Sequence, residues 1–147
     1  MYFVDRKEIK KKLAYMDETL KILPTINRSS SVEKYSLERM VQIMIETIID
    51  VGHLMIDGFI MRDAGSYKDI ITILVDEKVL QAEDEIKYHQ LIDLREMIVN
   101  QYDSVDHERI FEQLEVSLPA IKHFSTHINN YLHNELDVAN AFQNPSE

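Results

Sequence analysis

The chain contains no cysteine. That excludes disulfides and cysteine-ligated zinc, and it fits a reducing compartment, so a cytoplasmic location is expected. Glycine and proline number only three each. So few backbone breakers argue for long helices over a many-stranded β fold. No apolar run approaches the length of a membrane span, so no membrane association is expected. The N-terminal stretch MYFVDRKEIKKKL alternates charge with apolar residues and lacks the continuous apolar core of a signal peptide. A glycine-rich phosphate loop is missing too, which argues against an ATPase or kinase. Positive charge is also scarce, the net charge being −10. Non-specific nucleic-acid binders draw affinity from neutralising phosphates. Any RNA contact here must be local, transient or helped by a second chain, since the one basic cluster, RKEIKKK, is short and broken by Glu8.

What is present is a helical pattern. A length of 147 residues with 45% apolar content suits one domain with its own core. Ile9, Leu13, Met16, Leu20 and Leu23 step by four and three, predicting a first helix from about Val4 to Leu23, ended by Pro24. A second helix is expected from Ser31, as N-cap, to about Met61. Leu37, Val41, Met44, Ile48, Val51 and Met55 form its stripe, widened by Ile43, Ile45, Ile49 and Leu54. Gly65 is suited to a helix C-terminal cap. A short helix follows over Tyr67 to Asp76, then one from about Ala82 to Tyr102 with Ile86, Leu91, Leu94 and Ile98 inward. The last runs from about Asp106 to Leu132, with Pro119 expected to kink it. The fold class expected is all-α: an up-and-down bundle of four long helices plus one short helix. Residues 1–135 form the domain and 136–147 a flexible tail.

The stretch LREMIVNQYD carries the polar residues that stand out: Arg95, Asn100 and Tyr102, near a helix end and close to apolar positions. At about 100° per residue, Arg95 and Tyr102, seven apart, share one stripe, while Asn100 lies roughly 140° around from Arg95. One reading is structural: Arg95 pairs with a nearby carboxylate, Asn100 caps the helix end and Tyr102 packs with its hydroxyl in water.

The other reading comes from resemblance. YSLERMVQIMIETIIDVGHLMI, GSYKDIITILVDEKVL and LREMIVNQYDSVDHERIFEQL, in that order, resemble the HepT-like toxin family of the HEPN superfamily of helical RNA-processing domains. The resemblance runs from about Val4 to Leu132. Tyr35, Glu38, Arg39, Gln42 and Asp50 match the family's polar positions on the second helix. Arg95, Asn100, Tyr102, Asp103 and Asp106 fall on its signature: an arginine, four residues, a histidine, one residue and a tyrosine, followed by an aspartate pair. The resemblance implies a metal-independent ribonuclease toxin that acts on RNA as a homodimer and needs no cofactor. The two signature helices meet in a cleft, and a minimal nucleotidyltransferase antitoxin silences the toxin by adding AMP to the signature tyrosine, here Tyr102. Arg95, Asn100 and Tyr102 are thus the candidate catalytic residues.

One departure is central. The family's histidine is replaced by Asn100, and the residue after the arginine, often Asn or Asp, is Glu96. RNA self-cleavage needs a base to take the 2′-hydroxyl proton and donors to stabilise the charged phosphate. An imidazole exchanges a proton near neutral pH, whereas an amide only donates and accepts hydrogen bonds. Cleavage weakened or lost is therefore expected, and the alternative is a catalytically silent homodimeric module that binds nucleotide, RNA or a protein partner. Of the histidines that could substitute, His89 precedes Arg95 by six and His53 lies beside Asp50 at i, i+3. His107 is set aside as too far along the chain. His123 and His127, at i, i+4, have metal-ligand spacing without a carboxylate to complete it, so solvated histidines are the expected reading. Asp50 with His53 reads as a buried polar pair, and Tyr35, Glu38 and Arg39 as an inter-helix network.

Overall fold

Asp5 opens the first helix by accepting a hydrogen bond from the Glu8 amide at 3.0 Å, which satisfies one of the donors a helix start leaves unpaired. A computed structural model describes the backbone of residues 4–142 and the side chains of residues 4–135. In it α1 runs Arg6–Ile22, and a 3-10 turn containing Pro24, Leu23–Thr25, closes it. Helix α2 spans Ser31–Gly58. Its cap is Ser30, not Ser31 as expected: the Ser30 hydroxyl accepts from the Glu33 amide at 3.3 Å. It also stops three residues before the expected Met61. Ile60 takes a left-handed conformation (φ 56°), which turns the Met61 amide back onto the Ile56 carbonyl at 2.9 Å. Gly65 therefore does not cap α2. Its amide donates to Asp69 at 2.9 Å, inside the loop that Arg62 and Asp69 clamp with two bonds of 2.8 Å.

Helix α3 spans Tyr67–Asp76 behind a Ser66 cap. Lys78, also left-handed (φ 65°), ends it and directs the Val79 and Leu80 amides to the Leu74 carbonyl. After a 3-10 turn at Ala82–Asp84, α4 spans Glu85–Asn100. Ile86, expected inward, is exposed; it is five residues from Leu91 and so falls off the buried stripe of Tyr88, Leu91, Leu94 and Ile98. The expected single last helix is two, α5 over His107–Ile121 and α6 over Phe124–Phe142. Helix α5 passes through Pro119 and breaks three residues later, where the His123 amide reaches only to the Ala120 carbonyl in a tighter turn. Helical backbone continues into the expected tail. The side chains of residues 136–142, and residues 143–147 altogether, lie outside the described residues.

The bundle is built around α2, which packs against α1, α3 and α4; α4 in turn packs against α3 and α5. Leu37, Val41, Met44, Ile48, Val51 and Met55 are buried along α2. At Gly52 a side chain is excluded, since a Cβ there would lie 2.3 Å from Ile70 Cγ2 on α3. Helix α6 closes one end: Phe124 meets the Tyr88 ring at 5.8 Å and Ser125 donates to Asp17 of α1 at 2.9 Å. The Tyr88 hydroxyl donates to the Ala120 carbonyl at 3.1 Å, and burial pushes its pKa up. Among the described residues there is no strand, and no helix is long and apolar enough to cross a membrane.

Candidate functional site

The signature stretch sits on the last turns of α4, against the outward stripe of α2. Residues 35, 38, 42, 46, 50 and 53 recur at three- and four-residue steps, with Arg39 beside Glu38, and leave that stripe only partly covered. Arg95 is half-buried on it. Its Nε donates to Glu46 Oε1 at 2.6 Å, and its guanidinium lies 4.9 Å from the centre of the Tyr67 ring. The Glu46 hydrogen bond raises the Arg95 pKa, overcoming the opposing effect of burial. The guanidinium is thus held from two sides, by charge on α2 and by an aromatic face at the start of α3. Among the described residues its two terminal nitrogens carry no hydrogen bond, which leaves the planar end of the fork for an anion.

Asn100 is not brought to Arg95 within the chain. It is the last residue of α4, exposed, and its Nδ2 donates to Glu96 Oε2 at 2.7 Å, so it does not cap the helix; the Glu96 charge also acts on Arg95, behind that of Glu46. Tyr102 lies beyond the helix end, which corrects its expected place on the Arg95 stripe. It is 74% exposed and borders a cavity of about 280 Å³ with Tyr35, Glu38, Asp103 and His107. Asp106 caps α5 through the Arg109 amide at 3.1 Å.

The remaining candidates separate. Asp50 pairs with Lys12 at 3.4 Å and His53 is exposed, so the expected Asp50–His53 pair does not form; a lysine on α1 outcompetes the neighbour one turn away. His89 meets Thr72 Oγ1 at 3.4 Å, away from Arg95. The Tyr35, Glu38 and Arg39 set is divided: Arg39 donates to Gln42 within α2, while Glu38 crosses to α5. His123 and His127 face each other with ring centres 6.4 Å apart, and among the described residues no three metal-ligating side chains cluster.

His107, set aside in the sequence as too far along the chain, is brought back beside the signature. Its Nε2 lies 2.8 Å from Glu38 Oε2, and it borders the same cavity as Tyr102. The turn after α4 folds α5 back so that its first residue reaches α2. The one sequence signal was Asp106, a strong N-cap, which places the next side chain at a helix start packed beside the signature.

With this geometry in place, similarity to known proteins decides the family. The profile described as "Ribonuclease HepT-like" matches residues 9–128. The chain belongs to the HepT-like ribonuclease family. The resemblance carried by its three sequence blocks is thereby shown. Among relatives of this HepT-like chain is "Putative RNase YutE" of Bacillus subtilis (strain 168), 38% identical over 144 residues and covering 97% of this chain and 100% of the relative. A solved structure described as "Structure of Cytosolic Protein of Unknown Function YutE from Bacillus subtilis" superposes with TM-score 0.89 at 39% identity, covering 92% and 96% of the two chains. Another, "Crystal structure of the toxin-antitoxin with AMP-PNP", gives TM-score 0.71 at 16% identity over 82% and 96%, a likeness of fold.

Proposed function

We propose that this HepT-like chain is the ribonuclease of a toxin–antitoxin pair: a cytoplasmic, homodimeric, metal-independent endoribonuclease in which Arg95 binds the scissile phosphate. The observation that carries the reading is the Arg95 fork, oriented by Glu46 and Tyr67 while its outer nitrogens carry no hydrogen bond among the described residues. A guanidinium so fixed binds a phosphate bidentately and stabilises charge that develops on it. Tyr102, exposed beside the cavity, offers a hydroxyl that a nucleotidyltransferase antitoxin can modify with AMP. The strong exposure of Tyr35 and Tyr102 next to the signature suits burial against a second copy.

The second reading is a silent binding module of the same family, and Asn100 favours it. Its amide cannot exchange a proton and is already engaged by Glu96. The two separate in one experiment. Purified wild type, Arg95→Ala and Asn100→His are incubated with single-stranded RNA in the presence of a chelator. Cleavage by wild type that disappears in Arg95→Ala supports the nuclease. Cleavage only by Asn100→His identifies a silenced site, and none by any of them turns the reading to the binding module.

A further inference from the structure

We propose that His107, oriented by Glu38, supplies the proton exchange that Asn100 cannot; this rests on the ribonuclease reading above. A carboxylate only accepts hydrogen bonds, so the 2.8 Å contact fixes the proton of neutral His107 on Nε2 and leaves the lone pair on Nδ1. Among the described residues Nδ1 has no hydrogen-bond partner. The pair is mostly shielded, with side-chain exposures of 23% and 15%, yet the imidazole borders the cavity that holds Tyr102. A mostly shielded carboxylate–imidazole pair opening on a cavity is the arrangement general-base catalysis uses.

The register of the helices places it at the correct end. Arg95 meets Glu46, and Tyr102 shares a cavity with Glu38, so α4 runs antiparallel to α2. Glu46 and Glu38 are eight residues apart, about 12 Å along α2, while Arg95 and Asn100 are five apart, about 7.5 Å along α4. His107 therefore lies on the Asn100 side of Arg95, about 4–5 Å beyond it along the bundle. His53 lies seven residues past Glu46 in the opposite direction, about 10 Å from the Arg95 level. The distance of about 12 Å is the rise along the α2 axis between the residues that hold Arg95 and His107, a span within which the two side chains can lean toward one phosphate and its adjoining ribose hydroxyl.

The step is a transesterification. His107 Nδ1 takes the 2′-hydroxyl proton as the 2′-oxygen bonds to phosphorus. The bond from phosphorus to the 5′-oxygen breaks, the leaving oxygen takes a proton from water, and the imidazolium returns its own to solvent. The products are a 2′,3′-cyclic phosphate and a 5′-hydroxyl, and no metal or oxidant is required.

The test uses the full chain, a chelator and an end-labelled single-stranded RNA of mixed sequence. His107→Gln is expected to slow Arg95-dependent cleavage by roughly 100-fold or more, with unchanged circular dichroism and melting. Added imidazole is expected to restore His107→Gly, and Glu38→Gln to give a smaller loss. Cleavage by His107→Gln at the wild-type rate, or no effect of imidazole on folded His107→Gly, overturns this inference alone. Wild type without cleavage overturns it together with the nuclease reading.

Discussion

Ile60 and Lys78 show how single residues tune this bundle. Both hold left-handed backbone at a helix end where glycine is the usual occupant, and Ile60 is β-branched and 72% exposed. The conformation costs an ordinary residue about 1–2 kcal/mol, against about 0.4–1 kcal/mol of extra unfolded-state entropy for glycine. Ile60→Gly is expected to stabilise by about 0.5–1 kcal/mol and to raise the melting midpoint by about 2 °C; an unchanged or lower midpoint contradicts the assignment. Asp69 acts on pH dependence. The Arg62 fork, then the Gly65 amide, hold its carboxyl well below the usual carboxylate range. A group whose pKa is depressed by folding stabilises fully above its unfolded value and loses that contribution as pH falls. Melting followed from pH 6 downward should therefore show the wild type losing more stability below about pH 4 than Asp69→Asn does. The identities of Arg95, Asn100 and Tyr102 were legible as a signature, but their partners were not. Glu46 is 49 residues from Arg95 and Glu38 is 69 from His107, separations at which only the packed helices decide who meets whom.

At the scale of the elements, α2 and α3 approach through Gly52. Gly52→Ala would drive a methyl into the buried Ile70 side chain, and overpacking of this kind costs about 1–3 kcal/mol. A urea midpoint that does not fall would mean α3 shifts freely. Apolar periodicity marked the first four helices because their stripes are long and regular. The short third helix kept its expected bounds, while ends of the other three moved by one to three residues, since capping depends on which of the adjacent serines turns extended, as Ser30 does, and on an isoleucine doing what glycine usually does. The last helix was read as one rod because Leu118, Ile121, Ile128 and Leu132 stay on one side across the break. Pro119 marked the irregularity but not its location: the break forms where Lys122 and His123 are exposed and Phe124 must turn in against Tyr88. Tyr102 shifted for a related reason, α4 ending two residues sooner than its apolar pattern suggested.

For the whole molecule, the proposed function calls for a surface shared by two copies of an acidic protein. With a net charge of −10 the chain gains little from non-specific attraction to phosphate, so under the proposed ribonuclease reading affinity for RNA rests on a few placed groups such as Arg95. A dimer by light scattering at micromolar concentration is expected, and a monomer there contradicts the composite cleft. Glu46→Gln should preserve the fold yet reduce cleavage, because the guanidinium loses its charged anchor while keeping Tyr67. The most direct test is the chelator-treated cleavage of single-stranded RNA by wild type and Arg95→Ala side by side. Cleavage that needs no metal and vanishes with Arg95→Ala is the predicted result, and equal cleavage by both proteins would contradict a guanidinium-centred site.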